Sequence, residues 1–256
     1  MDRRDSFADW SLNASIAYDY HADHRVYLRA AQGFRAPQAT ELYRLQQGQS
    51  RARLDSEELD SLELGLRGSW SRVEYDVQAW LMKKSNVIFQ DSDRQNISGA
   101  RTEHQGIDLA LTVQMSATVE LAVTYSYALH RYDGNIELLG SRVDIDGNDI
   151  DTAPRHTASA RALWLPRPDT QLELEWVHLG RYYTDPANAH RYPGHDLVNM
   201  RAYQQLNPQL RIGMRVTNLL DEEYAERADF GFGNERYFVG EPISTYVDIE
   251  YRWGDG

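Results

Sequence analysis

The chain has no cysteine among its 256 residues, which excludes both a disulfide framework and a thiolate metal site. No apolar run approaches the roughly 18 residues that a membrane-spanning helix needs, so no such helix is predicted. The net charge of −12 argues against a nucleic-acid partner, because phosphate binding requires a basic face. Residues 1–6 lack the apolar segment of a signal peptide, and we expect none there.

The dominant pattern is alternation of apolar and polar residues, which is typical of strands with one oily face. A mean hydropathy of −0.64 resembles that of soluble proteins, but a membrane barrel exposes only alternate residues to lipid and also scores as polar. The pattern predicts long polar loops near 35–57, 84–98, 131–154 and 184–195. It predicts eleven strands, near residues 8–20, 25–34, 62–68, 73–81, 107–115, 119–127, 157–164, 172–176, 198–202, 210–217 and 242–253.

Two regularities across these strands favour an outer-membrane barrel. Short connections follow the odd strands and long ones follow the even strands, which places all long loops at one end. Aromatic residues of apolar parity gather near the short turns, as in an interfacial girdle. A soluble sandwich would alternate too, but it would not explain these loop lengths or an apolar face without charge over ten strands. The girdle residues are Tyr18, Tyr20, Trp70, Trp164 and Trp253.

The strand count suggests that these strands are part of a larger barrel. Bacterial single-chain barrels have an even number of strands, because both ends return to the periplasm. Eleven is odd. We therefore expect residues 1–256 to be the C-terminal portion of a longer chain.

Five segments resemble motifs of the TonB-dependent outer-membrane receptors, and they follow one another in the family's order across essentially the whole chain. The most specific is Thr217–Tyr224 (TNLLDEEY), with Asn218, Leu219, Asp221 and Tyr224 as its motif residues. Another contains Phe34, Arg35, Ala36 and Pro37. The five segments are 30–43, 57–67, 100–108, 153–156 and 217–224.

This resemblance implies an all-β fold, namely an antiparallel transmembrane β-barrel fragment. The family's barrel has 22 strands and a plugged lumen, so residues 1–256 would supply the last eleven strands and no plug domain. It also implies a Gram-negative outer-membrane location, contact with lipid and lipopolysaccharide, and coupling to a TonB-type protein through the missing plug. The implied activity is import of a scarce chelate, with a ferric siderophore as the expected cargo. Residues 38–57 contain no histidine, which disfavours haem.

Candidate ligand contacts lie at the long-loop end, where aromatic faces and cations would suit an aromatic, anionic chelate. Ordinary girdle or loop packing is the simpler interpretation for any single one of them. The predicted substrate-binding residues are Arg35, Arg44, Tyr182, Tyr183, His190, Tyr192, Phe230, Arg236 and Tyr237, with Tyr224 and Phe232 beside them.

Other chemistry has little support in the sequence. Residues 144–151 fit a calcium loop poorly, because the glycine stands at position four and not six. His21 and His24 alone are a weak metal signal. We therefore predict no metal site, no cofactor and no catalytic residue. An outer-membrane lipase is one alternative, since His178 has apolar parity, but no serine is placed to join it. A truncated or split-gene barrel piece with only a binding or structural role is another.

The alternation makes a direct prediction about membrane assembly. A lysine at Val77 or Leu111 should block assembly more than a lysine at Gln78 or Thr112, because a lipid-facing cation at mid-bilayer costs about 2–4 kcal/mol. The fraction of heat-modifiable, folded protein in outer-membrane preparations measures this. Equal tolerance at both parities would contradict a lipid-facing row.

Overall fold

The fold is nearly all β-structure. The computed structural model describes residues 5–43, 52–90, 95–134 and 143–253. It contains one short helix, α1 (Ala39–Tyr43), beside fifteen strands. The strands are β1 (Leu12–His21), β2 (His24–Arg35), β3 (Glu57–Trp70), β4 (Val73–Gln90), β5 (Asn96–Ser116), β6 (Val119–Tyr132), β7 (His156–Arg167), β8 (Thr170–Leu179), β9 (Tyr182–Tyr183), β10 (Arg191–Tyr192), β11 (His195–Asn207), β12 (Leu210–Thr217), β13 (Ala225–Gly231), β14 (Asn234–Val239) and β15 (Ser244–Tyr251).

Eleven of these strands form one antiparallel sheet, in the order β1-β2-β3-β4-β5-β6-β7-β8-β11-β12-β15. Each strand pairs with its neighbour in this series, so the sheet is a simple meander. Two residues separate the strands at each of the five tight turns, and the long connections lie at the opposite end. The predicted strand number and the predicted alternation of connections are both confirmed.

The long-loop end differs from the prediction in detail. The predicted loop at 84–98 is wrong, because β4 continues to Gln90 and β5 begins at Asn96. The two strands stay paired beyond the expected end, through irregular register near Val87 and Phe89. Backbone pairing of β4 and β5 therefore continues beyond the segment in which apolar and polar residues strictly alternate. Two further hairpins, β9–β10 and β13–β14, occupy connections predicted to be loops.

One face of the sheet is a continuous exposed apolar surface. Direct register partners point to the same side of an antiparallel sheet. The row Leu28–Leu64–Ala79–Ile107–Tyr127 is one example that crosses five strands. On β4 this face runs from Val73 to Leu81, and nine residues tilted by about 45° span roughly 21 Å. That height is near the ~25 Å apolar band of membrane barrels, and it explains why so many large apolar side chains are exposed.

A row of alternating charges marks the upper edge of the apolar band. Asp60, Lys83, Glu103 and Arg131 are successive register partners on this outer face. Lys83 Nζ lies 2.5 Å from Glu103 Oε1. Alternating signs on adjacent strands favour pairing over repulsion, and such polar side chains suit the membrane interface and not its interior.

Aromatic side chains mark the lower edge, near the tight turns. Tyr20, Trp70 and Tyr75 surround His24, whose Nδ1 lies 2.7 Å from the Tyr75 hydroxyl. A side chain at Gly68 would collide with the His24 ring, so the glycine makes room for this packing. The predicted girdle residues Tyr18, Tyr20, Trp70, Trp164 and Trp253 are all exposed on the outer side.

The inner face is polar and internally paired. The Asp108 carboxylate accepts hydrogen bonds from Gln78 (3.0 Å), Trp80 (2.7 Å) and Ser126 (2.5 Å). Arg201 pairs with Glu173 and Glu175. On the penultimate strand of the sheet, the Arg211 and Arg215 guanidiniums stack on Tyr203 and Tyr246, as expected for lumen-facing residues.

The sheet remains open along β1 and β15, each of which has a single partner strand among the residues that the structure describes. An odd number of antiparallel strands makes these two edge strands run in the same direction. Direct closure would therefore create a parallel seam. Within the described ranges, no helix is long and apolar enough to cross a membrane.

Candidate functional site

The long-loop end carries a compact platform built by the hairpins β9–β10 and β13–β14. Its buried centre contains the rings of Tyr182 and Tyr192, packed against Ala225 and Ala228. Both phenol oxygens accept backbone hydrogen bonds from the other hairpin, from Ala228 N at 2.8 Å and Ala225 N at 3.0 Å. These two predicted contact residues thus join the hairpins, and their rings are only about 5 % exposed.

A second set of predicted residues lies on the flank of this platform. The His190 ring stacks on Phe230, with centroids 3.6 Å apart, and Asp185 accepts from the His190 backbone at 2.7 Å. Tyr183 accepts a hydrogen bond from Arg191, whose guanidinium also lies over the Tyr183 ring. These contacts satisfy the side chains locally, and Tyr183, His190 and Phe230 all stay partly exposed.

The predicted cations are engaged with carboxylates. Arg236 lies 2.5 Å from Asp229, which also pairs with Arg227 at 3.2 Å. Arg35 lies 2.7 Å from Glu57 and 3.1 Å from Glu41 of α1. The structure therefore presents Arg35 and Arg236 as members of ion pairs. Arg44 lies outside the described residues.

The Arg35 cluster anchors the first long connection. Besides its two guanidinium bonds, Glu57 accepts the Ile88 N–H at 2.9 Å, and it is almost fully buried. The hydrogen bond from Arg35 holds the pKa of Glu57 below its usual range, against the opposing effect of burial. The pKa of Arg35 is raised correspondingly, first of all by its hydrogen bond to Glu57. Sequence position alone could not show that three chain segments meet here.

Carboxylates of the acidic stretch 144–151 are distributed over separate partners. Asp149 binds the Arg155 guanidinium through both oxygens, at 2.7 and 2.8 Å. Asp146 accepts from Gly134 N, and Asp151 accepts from the Tyr132 hydroxyl. The backbone N–H of Asp149 also donates to Asn188, so this stretch is tied to the β9–β10 hairpin.

Asn218 closes the base of the last long connection. It is 2 % exposed and adopts a positive φ of 49°, which asparagine tolerates better than most residues. Its side-chain amide donates to the carbonyls of Glu222 (2.9 Å) and Glu241 (3.1 Å) and accepts from Glu222 N (2.8 Å). The motif residue thus joins both ends of this connection, while Leu219 and Asp221 lie in the turn that follows.

Next to the Asn218 hydrogen bonds lies a cleft of about 780 Å³, between the segment 221–225 and the end of β14. Three of its walls are aromatic rings, those of Tyr192, Tyr224 and Tyr237. Tyr224 lies over Gly240, where an added side chain would collide with the ring. The Tyr237 hydroxyl donates to Glu235, which raises the pKa of Tyr237. The structure therefore brings three of the singled-out tyrosines together around one cleft.

Sequence reasoning missed a histidine pair on the inner face. His104 and His130 lie on adjacent strands with their Nδ1 atoms 2.8 Å apart. His104 also bonds Thr102 through Nε2 at 2.8 Å, and Trp80 stacks on His130. The two histidines are 26 residues apart, and only the strand register could have indicated the contact.

Comparison with known proteins identifies the sequence pattern. The sequence model of the family described as "TonB dependent receptor-like, beta-barrel" matches residues 2–219. The vitamin B12 transporter BtuB of Photobacterium profundum is 21% identical over 242 residues, covering 93% of this chain and 38% of the relative. The metal-pseudopaline receptor CntO of Pseudomonas aeruginosa is 23% identical over 193 residues, covering 71% of this chain and 25% of the relative.

The fold is also similar to solved structures. The ferric yersiniabactin uptake receptor FyuA from Yersinia pestis superimposes with a TM-score of 0.79 at 17% identity, covering 93% of this chain and 36% of that chain. At this identity the likeness concerns the fold alone. The chain spans between a quarter and two fifths of the length of these proteins.

Replacement of Asn218 tests whether its side chain holds the two ends of the last long connection together. Asn218→Ala removes three hydrogen bonds to the backbone of Glu222 and Glu241, each with a net contribution of about 0.5–1.5 kcal/mol. We expect faster proteinase K cleavage within residues 219–243 on intact cells. Leu220→Ala, at a side chain that is mostly exposed, is the control. Equal cleavage rates for both variants would contradict the role of Asn218.

Replacement of Glu57 tests the contribution of the Glu57–Arg35 ion pair to stability, which should depend on pH. Because the folded pKa of Glu57 is depressed, its stabilisation is complete above the unfolded value of about 4.3 and is lost as pH falls through the folded value. Glu57→Gln should therefore lower the urea midpoint at pH 7 and lower it less at pH 3. Glu58→Gln is the matched control. An equal loss at both pH values would contradict this assignment.

Proposed function

Because the chain belongs to the family of TonB-dependent receptor-like β-barrels, we propose that it forms part of an outer-membrane transporter that imports a scarce chelate. The observation that carries this proposal is the family match over residues 2–219, on a sheet with one apolar face and one polar face. The apolar face meets lipid, and the polar face lines the path of the substrate. The loop platform is the first contact for the ligand.

The cargo we propose is a metal chelate, with a ferric siderophore as the first candidate. The relatives support this class, since their names include a metal-pseudopaline receptor and a ferric yersiniabactin uptake receptor. A vitamin B12 transporter is also among them, so a cobalt-containing cofactor is the competing cargo. The family consists of receptors and transporters, and we propose no enzymatic role.

Energy coupling requires parts beyond these eleven strands. Since β1 and β15 run in the same direction, antiparallel closure needs an odd number of further strands between them. We propose that such strands and a plug domain complete the transporter, and that a TonB-type protein acts on the plug. The upper charge row, with Lys83 and Arg131, is the proposed contact for lipopolysaccharide head groups.

Uptake by whole cells tests this function. In the source organism, deletion of the gene should abolish uptake of at least one ⁵⁵Fe-labelled hydroxamate or catecholate complex, and deletion of the energy-coupling protein should do the same. Plasmid restoration of the gene is the control. If the deletion abolishes only cyanocobalamin uptake, the cargo is a cobalamin and not an iron chelate. Unchanged uptake of every probe would contradict a transport role.

A further inference from the structure

The last long connection, residues 218–243, is strongly acidic. It contains seven carboxylates and only two guanidiniums. Both guanidiniums, those of Arg227 and Arg236, pair with the same carboxylate, that of Asp229. The other six carboxylates therefore have no guanidinium of this connection to neutralise them: Asp221, Glu222, Glu223, Glu226, Glu235 and Glu241.

Three of these carboxylates line the tyrosine cleft. Asp221, Glu222 and Glu223 form one side of it, and all three residues are exposed. The remaining walls are the three tyrosine rings together with Pro193, Ala225, Val239, Gly240 and Pro242. No lysine or arginine is among the described residues that line the cleft. Its volume of about 780 Å³ is in the range of sites for small molecules.

The cleft stands over the inner face of the sheet. His195, the first residue of β11, has the inner-face parity, since its neighbour Asp196 pairs with His178 in the outer-face register. The His195 ring lies 4.7 Å from the Tyr224 ring, and its Nδ1 lies 2.9 Å from the Tyr192 hydroxyl. Burial lowers the pKa of His195, which favours the neutral imidazole. Because Tyr192 and Tyr224 of the cleft contact this inner-face histidine, a ligand in the cleft would lie above the proposed substrate path.

The walls are held in place before any ligand arrives. Tyr192 is fixed by the Ala225 N–H, and Tyr224 by its packing on Gly240. Asn218 binds the backbone at both Glu222 and Glu241. A preformed site loses little conformational entropy on binding, so its charge pattern acts directly on ligand choice.

We propose, building on the proposed function, that this cleft selects chelates that are neutral or positively charged and carry an apolar surface. Tyrosine faces attract cations, and the three carboxylates add attraction of the same sign. An anionic chelate would meet uncompensated negative charge at its first contact. This proposal differs from the expectation from sequence that the aromatic residues and cations would serve an anionic ligand, and it takes into account that Arg35 and Arg236 are paired with carboxylates.

Charge-matched thiol reagents test the cleft without knowledge of its ligand. The chain has no cysteine, so Val239→Cys places a single thiol in the cleft wall of this chain. On outer-membrane preparations from cells expressing the complete native reading frame, each reagent's rate is divided by its rate with a small thiol in the same buffer, because a thiolate by itself favours the cationic reagent. The normalised rate of a trimethylammonium methanethiosulfonate should be about tenfold higher than that of the sulfonate reagent. Phe238→Cys lies on the same strand as Val239 but pairs with Arg227 of β13, so it is the control and should show a much smaller ratio.

Glutamine substitutions test whether the carboxylates of the cleft cause this rate ratio. Adding Glu222→Gln and Glu223→Gln to Val239→Cys should lower the rate ratio strongly and leave only the effect of Asp221, whereas adding Glu226→Gln, outside the cleft lining, should leave the ratio high. A ratio of one or below in the parent Val239→Cys protein would overturn the proposal. A rate ratio that is unchanged by removal of both glutamates would also overturn it.

Ligand choice is tested with one chelate in three charge states. Ferric desferrioxamine B has a pendant ammonium, which N-acetylation neutralises and N-succinylation makes anionic. The ammonium and acetyl forms should protect Val239→Cys from a neutral thiol reagent better than the succinyl form. Best protection by the succinyl form, or protection by none, would overturn the inference. Gene-dependent uptake of an anionic iron complex would then still support the transporter, whereas loss of all gene-dependent uptake would contradict the transporter itself.

Discussion

Backbone pairing across the meander is the interaction on which the rest of this structure depends. In lipid, an unpaired N–H or C=O group costs several kcal/mol, so a spanning strand must be bonded to neighbours on both sides. Continuous register across eleven strands satisfies this inside the sheet. The same register sorts the side chains, because partners such as Val77 and Leu109 must share a face. One face thereby becomes apolar and exposed, and the other becomes polar and internally paired.

Beyond the membrane, the structure relies on single polar anchors and not on a large core. Glu57 binds Arg35 and the β4 extension, and Arg35 in turn binds Glu41 of α1. Asn218 joins both ends of the last connection. Tyr182 and Tyr192 join the two small hairpins through backbone hydrogen bonds. These anchors hold the tyrosine cleft in one shape over the inner face. A preformed surface of this kind loses little conformational entropy when it binds a ligand.

Sequence predicts the membrane part of this fold well, because lipid imposes a strict period of two. The eleven strands, and with them the alternation of short and long connections, follow from that period. The loop end obeys no such period, so the β4–β5 extension was missed. The roles of Tyr182 as a buried anchor and of His104 as the partner of His130 depend on contacts between distant segments. Residue type suggested aromatic ligand contacts, but only the structure shows which cations are already neutralised.

The central claim is that one face of the sheet lies in lipid and the other faces a polar lumen. Single cysteines at successive positions 73–81, in a chain without native cysteine, can carry a nitroxide spin label in outer-membrane vesicles. Collisions with oxygen, which concentrates in lipid, should peak at Val73, Tyr75, Val77, Ala79 and Leu81, and collisions with a polar nickel chelate should peak between them. Equal oxygen accessibility at both parities would contradict the account.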